Sequence, residues 1–310
     1  MSPEPAEGVR RSFTFLVNPA AGGGAAPEAV VPVARLLREA GATVEVTYSP
    51  GPLAMSALVA AAVHRGDVVV SVGGDGMLAS LAGSVSELGG TVGLVPAGRG
   101  NDFARMLGIP EDRAGQAERL LTAEPRLVDL LAWQPPGGSR RLVAGSVYAG
   151  VDARAAEIVD RSHHLPDALQ YPLAAIRALL AYRPGHYRLT IDGATTEHLA
   201  ATVVVANSRF YGKGMKIAPA AEVNDGILDV IVIEAASKRA LVRALPTVYD
   251  GAHVDRPEVS VFRGRRIELQ GTAREPIPVG GDGEPLGLLP SLAEEPAVIE
   301  ALPGVLSILA

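Results

Sequence analysis

The chain has 310 residues, of which 48% are hydrophobic, a formal net charge of −6 at pH 7, and no cysteine. This is enough apolar chain for one large domain or two ordinary ones with a real core, and it excludes global disorder. The negative balance, with no long Lys/Arg run, argues against bulk nucleic-acid binding; the lack of cysteine removes disulfides, thiol catalysis and cysteine metal sites. The longest apolar-rich run, Leu53 to Val63, is too short for a membrane span and contains Ser56. Met1 to Arg11 has no apolar stretch of the signal-peptide kind and reads as a short disordered lead, so a soluble cytoplasmic protein is expected.

Ser12 to Val17 is a short apolar strand that runs into a glycine-rich turn, Asn18-Pro19-Ala20-Ala21-Gly22-Gly23-Gly24. Helical spacing follows from about Glu28 to Ala40, with a start near Pro32 or a distorted first turn, and Gly41 ends it. Thr43 to Tyr48 alternates like a strand, and Pro52 to His64 is a helix closed by Gly66. Asp67 to Val72 is a strand whose Val68, Val69, Val70 and Val72 suit burial on both faces. It opens into Gly73-Gly74-Asp75-Gly76, and a helix follows over Met77 to Leu88. Paired glycines let the backbone turn sharply and approach a ligand closely, while the helix start offers N–H groups to phosphate. Asp75 sits where anion binding alone would not put a carboxylate; such a group holds a metal ion or takes a proton. A plain strand-to-helix turn with a polar tip is the other reading.

Thr91 to Val95 is a further strand, followed by the turn Pro96 to Arg105, in which Asn101 or Asp102 can cap a short helix ended by Gly108 and Pro110. A helix over Asp112 to Thr122 and a strand over Arg126 to Leu131 complete this half. The alternation predicts a parallel sheet covered by helices, with the glycine turns all at the carboxyl ends of their strands, where ligands bind in open α/β sheets. Gln134 to Ser139 is a turn-rich break. Beyond it come strands without regular helices between them, over Leu142 to Tyr148, His186 to Ile191, Leu199 to Ala206, Leu228 to Glu234, Val259 to Arg263, Arg266 to Gln270 and Ile277 to Val279. These predict a mostly antiparallel sandwich. One helix interrupts it, about Pro166 to Tyr182, where Leu169, Leu173, Ile176 and Leu180 recur beside Arg177 and Arg183. Three readings fit that helix: a core-facing stripe, a flap over an apolar substrate pocket, or a membrane-facing surface. The six histidines, His163-His164 included, show no metal-ligand spacing, and no GxxxxGK[ST] motif is present.

With these turns placed, the chain resembles the diacylglycerol kinase catalytic-domain family, in particular the soluble bacterial lipid kinases related to sphingosine, ceramide and NAD kinases. The resemblance rests on Asn18-Pro19-Ala20-Ala21-Gly22, Gly73-Gly74-Asp75-Gly76, Pro96-Ala97-Gly98 with Asn101-Asp102-Phe103-Ala104-Arg105, Gly150-Val151-Asp152-Ala153, Ala218-Pro219-Ala220-Ala221 with Asp225-Gly226-Ile227-Leu228-Asp229, and Asp282-Gly283-Glu284, in family order. It implies an α/β N-terminal nucleotide-binding domain with a parallel sheet, as in NAD kinase and phosphofructokinase, over residues 1–131. A C-terminal, mostly antiparallel β-sandwich that binds lipid is implied over 132–290, and residues 291–310 are expected to return to the first domain. It implies ATP and Mg²⁺, with the γ-phosphoryl group passing to a lipid hydroxyl, diacylglycerol first. A sphingoid base or another hydroxyl acceptor, and a nucleotide-binding regulator without catalysis, are the alternatives. The implied partner is a lipid substrate at a membrane surface, reached by transient association, with no nucleic acid; a homodimer is left open.

By the resemblance, Asp75 and Glu284 are catalytic, Asp75 at the phosphates and Glu284 as proton acceptor. Read from the residues alone, Asp282-Gly283-Glu284 is a hairpin turn with solvated carboxylates. Asn18, Pro19, Ala20, Ala21, Gly22, Thr47, Gly73, Gly74, Asp75, Gly76, Met77, Arg99, Asn101 and Asp102 are implied at the nucleotide, with Thr47 equally a strand-end hydroxyl and Asn101 and Asp102 equally a helix cap. Arg105 faces either the phosphates or its own helix surface. A second, structural metal site is implied at Glu222, Asp225 and Ile227, the last through its carbonyl; the residues alone read there as an Asn-Asp-Gly turn. Met77 and Arg99 stand where the family has threonines, and Ala79 and Ser80 where it has Asn/Glu. Met77 removes a hydroxyl, and Arg99 adds a charge able to grip phosphate.

Overall fold

The computed structural model describes residues 11–19, 21–48, 52–160 and 167–310. In chain order its main elements are β1 (Ser12–Val17), α1 (Ala26–Glu39), β2 (Thr43–Tyr48), α2 (Pro52–His64), β3 (Val68–Gly73), α3 (Asp75–Glu87), β4 (Thr91–Pro96), α4 (Asp102–Met106), α5 (Arg113–Thr122), β5 (Pro125–Gln134), β6 (Arg141–Val143) and β7 (Ser146–Gly150). They continue with α6 (Val151–Asp160), α7 (Asp167–Ala181), β8 (Gly185–Ile191), β9 (Ala194–Ala206), β10 (Leu228–Glu234), α8 (Lys238–Ala244), α9 (Thr247–Asp250), β11 (Val259–Gly264), β12 (Arg266–Thr272), β13 (Pro278–Gly281), β14 (Glu284–Leu288) and β15 (Ala297–Leu309). Two compact units result. The first takes residues up to Gly98, Leu107–Leu127 and Leu306–Ala310; the second takes Arg99–Met106 and Val128–Val305. The division thus differs from the expected one, since the segment around α4 groups with the second unit and only the last five residues with the first.

In the first unit the strands run parallel in the order β2-β1-β3-β4, and the end of β15 extends the sheet through Ser307 and Ile308 beside Thr91 and Val92. β1 and β3 are buried almost throughout, as continuous apolar runs between two helical layers require. Phe13, Phe15, Val17, Val70 and Val72 form a core with Ala29, Val30, Val33 and Leu37 of α1 and with Ala117 and Leu120 of α5. α1 starts at Ala26, earlier than expected, because Pro27 fits the first turn, where no N–H is missed; the helix also tolerates Pro32. Edge strand β2 pairs only with β1, and accordingly its side chains are at least partly exposed throughout.

The second unit is antiparallel. β9 is its spine: Ala194–Ala200 pairs with β8, and Thr202–Ala206 pairs with both β7 and β10. The path β14-β13-β7-β9-β8-β12 continues to Ala297–Glu300 of β15, and β10 carries β11. Trp133, Val147, Leu189, Val203, Val230 and Ile299 are fully or almost fully buried in its core. The expected strand over Leu142 to Tyr148 is two strands, broken at Ala144-Gly145, whose N–H groups leave the ladder for the Asp282 carboxylate at 2.6 and 2.9 Å. α6, α8, α9, β14 and β15 were not expected. α7 lies where a helix was expected, but Leu173 and Leu180 are 38% and 58% exposed, while Ala174, Ala178 and Leu179 face inward, so the leucine stripe is not the core face.

Asp129 ties this unit together. Its carboxylate accepts the N–H of Gly226 and of Gly304, each at 2.7 Å, its own N–H donates to Val223, and Asn207 donates to its carbonyl. Replacing Asp129 by Ala strands two N–H groups beside a buried cavity and is expected to cost roughly 3–5 kcal/mol of stability in urea unfolding. A loss below about 1 kcal/mol would show that water or a rearranged loop satisfies these groups instead.

Candidate functional site

In the first unit the strand ends β1, β3 and β4 bring three turns together backbone to backbone. Asn18 donates its N–H to Val72 at 3.1 Å, and Ala97 donates to Gly73 at 2.9 Å. A Cβ on Gly22 would lie 2.3 Å from the Ala97 carbonyl oxygen, and one on Gly74 would lie 3.3 Å from Gly98 Cα. Gly22 also has φ of +60°, in the left-handed region. Glycine at these points therefore lets the turns Asn18–Gly22, Gly73–Gly76 and Ala97–Gly98 share one floor at the carboxyl end of the sheet. Thr47 lies one residue before the end of β2, in register with Leu16, at the same end. Pro19 is exposed, Ala21 and Gly22 are half-buried, and Ala20 lies outside the described residues.

Asp75 is the first residue of α3 and half-buried; the helix has Gly74 at its N-cap and no side-chain cap. A 13-residue helix beginning on a glycine turn offers first-turn N–H groups and a positive dipole end to an anion, and this fits a phosphate cradle. Met77, one of the two departures from the threonines of the related kinases, is 8% exposed and packs under the turn, where a Cβ on Gly73 would meet its own at 2.9 Å. It supports the turn as an apolar wedge.

The remaining candidates belong to the second unit. Asn101, at φ +56°, is the N-cap of α4 and accepts the Arg105 N–H. Asp102 is buried and accepts the N–H groups of Lys213 and Gly214, at 2.9 and 2.7 Å, and Arg105 Nη1 at 2.7 Å. Burial pushes its pKa up against the pull of these donors. Arg105 is thus held on Asp102, with Phe210 beneath its guanidinium. Arg99 is half-buried, just ahead of α4.

Glu284 opens β14 directly after the turn Asp282-Gly283, both at positive φ, and is exposed. The turn is locked by Asp282, which accepts N–H groups from Ala144, Gly145 and Ser146, while Gly283 donates to the Tyr148 hydroxyl. The hairpin expected from the residues is present, and within it Asp282 anchors the backbone while Glu284 faces solvent.

Glu222, Asp225 and Ile227 lie on the loop leading to β10. Asp225 Oδ1 accepts the Ile227 N–H and its Oδ2 holds Arg263 at 2.5 Å; Glu222 is exposed. Among the described residues no group of three or more His, Asp or Glu side chains is arranged to hold a metal ion. Both oxygens of Asp225 are taken by protein donors.

A cavity of about 70 Å³, open to solvent in part, lies inside the second unit. Its walls are apolar: Val151 and Ala155 of α6, Ala175 and Leu179 of α7, Ala201 of β9 and Leu241 of α8. Asp152, Thr202 and Tyr211 form its polar patch, with Thr202 Oγ1 donating to Asp152 Oδ2 at 2.9 Å and the Tyr211 hydroxyl bonded to the same carboxylate. Removal from solvent raises the Asp152 pKa to about 6 and pushes that of Tyr211 well up. Sequence reasoning gave none of these three a role. The one signal was Asp152 within Gly150-Val151-Asp152-Ala153; Thr202 and Tyr211 carried none.

Residues 12–133 match the diacylglycerol kinase catalytic domain, and residues 145–310 match the YegS C-terminal NAD kinase β-sandwich-like domain. Over 307 residues the chain is 32% identical to a diacylglycerol kinase of Mycobacterium tuberculosis, covering 96% of this chain and 94% of that protein. Over 240 residues it is 25% identical to a diacylglycerol kinase of Bacillus subtilis, covering 74% and 75%. The crystal structure of a diacylglycerol kinase from Bacillus anthracis shares the fold, with a TM-score of 0.67 at 18% identity, covering 97% of this chain and 96% of that one.

Gly22→Val tests the shared floor. A Cβ there collides with backbone, so nucleotide affinity measured by calorimetry is expected to fall at least about tenfold. A variant that binds ATP like the wild type would show that the turns do not need this approach.

Proposed function

This chain belongs to the diacylglycerol kinase family of lipid kinases, and we propose that it transfers the γ-phosphoryl group of ATP, bound as its Mg²⁺ complex, to the hydroxyl of diacylglycerol, giving phosphatidic acid. The cavity of the second unit carries this reading. Its walls are apolar, as a site for an amphiphile requires, with a small polar patch to orient one end.

Phosphoryl transfer demands positioning and charge stabilisation more than covalent chemistry. The N–H groups at the start of α3 hold the phosphates and its dipole assists, with the Asn18–Gly22 turn closing the floor beside them. In this scheme Asp75 orients the metal-bound phosphate or the acceptor hydroxyl, and Arg99 contributes a fixed positive charge. Glu284 takes the proton as the acceptor oxygen attacks phosphorus and the bond to ADP breaks. No helix among the described residues is long and apolar enough to cross a membrane. Access to lipid is instead assigned to the outer face of α7, where Leu173 and Leu180 are exposed beside Arg177 and Arg183 while the inner face lines the cavity. A helix with apolar and cationic residues on its free face suits transient contact with an anionic bilayer surface.

The test is incubation with labelled ATP, Mg²⁺ and a panel of lipid alcohols plus NAD. Labelled phosphatidic acid is expected, falling at least about a hundredfold in Asp75→Asn and in Glu284→Gln. Labelled sphingoid phosphate alone would replace diacylglycerol as acceptor, labelled NADP would overturn the lipid assignment, and tight ATP binding without transfer would leave a regulator. Asp152 supplies a second check. Its folded pKa of about 6 lies above the ordinary carboxylate value of 3.8, so the folded state holds the proton more tightly. Its contribution to stability is therefore full below about pH 4 and is lost as pH rises through about 6. Asp152→Asn is expected to flatten this slope in urea unfolding followed from pH 4.5 to 7; an unchanged slope would place the carboxylate in solvent.

A further inference from the structure

We infer that Arg263 takes, in this chain, the place of the structural divalent cation that the family resemblance implies, so that the loop Glu222–Ile227 is held without metal. The inference concerns the stability of the second unit and does not depend on the acceptor. Arg263 stands on β11 directly across from Asp229 of β10 in the antiparallel register. Its Nη2 lies 2.5 Å from Asp225 Oδ2 and its Nε lies 3.5 Å from Asp229 Oδ1. The Asp229 side chain is 1% exposed, so without a cation its charge would be stranded in the interior. The guanidinium supplies that cation, tethered to the neighbouring strand.

Asp225 is satisfied by protein as well, while Asp229 Oδ2 is buried without a hydrogen-bond partner. Asp225 Oδ1 is taken by the Ile227 N–H at 3.0 Å, so both oxygens of this carboxylate are committed. Gly226 is fixed by its N–H to Asp129, and Val223 by its carbonyl to the Asp129 N–H. A divalent ion would need several oxygens at about 2.0–2.6 Å. It would have to displace a permanently charged guanidinium that fits a carboxylate fork better than an ammonium would, and the two positive charges repel at that range. An arginine bridging two carboxylates supplies their counter-charge in place of an ion, and any Mg²⁺ requirement of the enzyme should follow the nucleotide alone.

The deciding measurement is hydrogen exchange of the nucleotide-free full chain, read over residues 222–229, in EDTA and in millimolar Mg²⁺. Wild-type protection is expected to be the same in both. Arg263→Gln is expected to exchange at least about tenfold faster here in EDTA and to regain protection in Mg²⁺, because the vacated carboxylates then accept the ion. Wild-type exchange that accelerates in EDTA would overturn the inference, as would an Arg263→Gln variant indifferent to Mg²⁺. The wild-type comparison decides by itself should the glutamine variant fail to fold, and Arg263→Lys, which keeps the charge, should stay insensitive to EDTA.

Discussion

Backbone N–H groups that leave a β ladder need a partner, and in the second unit three aspartates provide it. Asp129 accepts from Gly226 and Gly304, Asp282 from Ala144, Gly145 and Ser146, and Asp102 from Lys213 and Gly214. Each is a charge-assisted set of bonds between segments about a hundred or more residues apart, stronger than neutral hydrogen bonds and unforgiving of removal. The loops that carry Glu284, Arg105 and Asp225 are positioned by these carboxylates. The functional candidates of this unit therefore depend on a scaffold of buried acids.

The first unit meets the same demand with small residues. Its turns approach so closely at Gly22–Ala97 and Gly74–Gly98 that any Cβ at Gly22 would occupy backbone space. The result is a backbone-lined floor beside a helix start, which suits an anion with several oxygens. An arrangement that spends side chains on other purposes and leaves backbone at the ligand is also tolerant of sequence change around it. Met77 shows this: a buried apolar residue under the turn serves where a hydroxyl is lost, because the turn itself remains.

Much was legible in the linear chain. Apolar runs predicted β1, β3 and β4, and alternation predicted β2, each within one residue at either end, since strands buried on both faces need an unbroken apolar stretch. The parallel order and the place of the ligand turns followed from the same alternation. In the second unit the reading was weaker. β6 and β7 were merged because their break is dictated by Asp282, nearly 140 residues later. The leucines of α7 were given three roles because period alone cannot say which face meets the core, and the structure turned the alanines inward. α6, α8 and α9 were missed for want of strong apolar spacing, and β15 because its partners lie in both units.

By itself, the sequence determined the fold class, the order of elements in the first half, and the glycine turns with Asp75 between them, because backbone freedom and burial are local properties written residue by residue. Tertiary structure alone decided which carboxylates are anchors and which face solvent. Asp282 and Glu284 are two residues apart and identical in charge, yet one is spent on three backbone N–H groups and the other is exposed. It likewise set Arg263 on Asp225 and Asp229 and grouped Asp152, Thr202 and Tyr211 in one cavity. Those outcomes depend on which distant segment arrives to share the charge or the apolar wall, and no spacing along the chain records that.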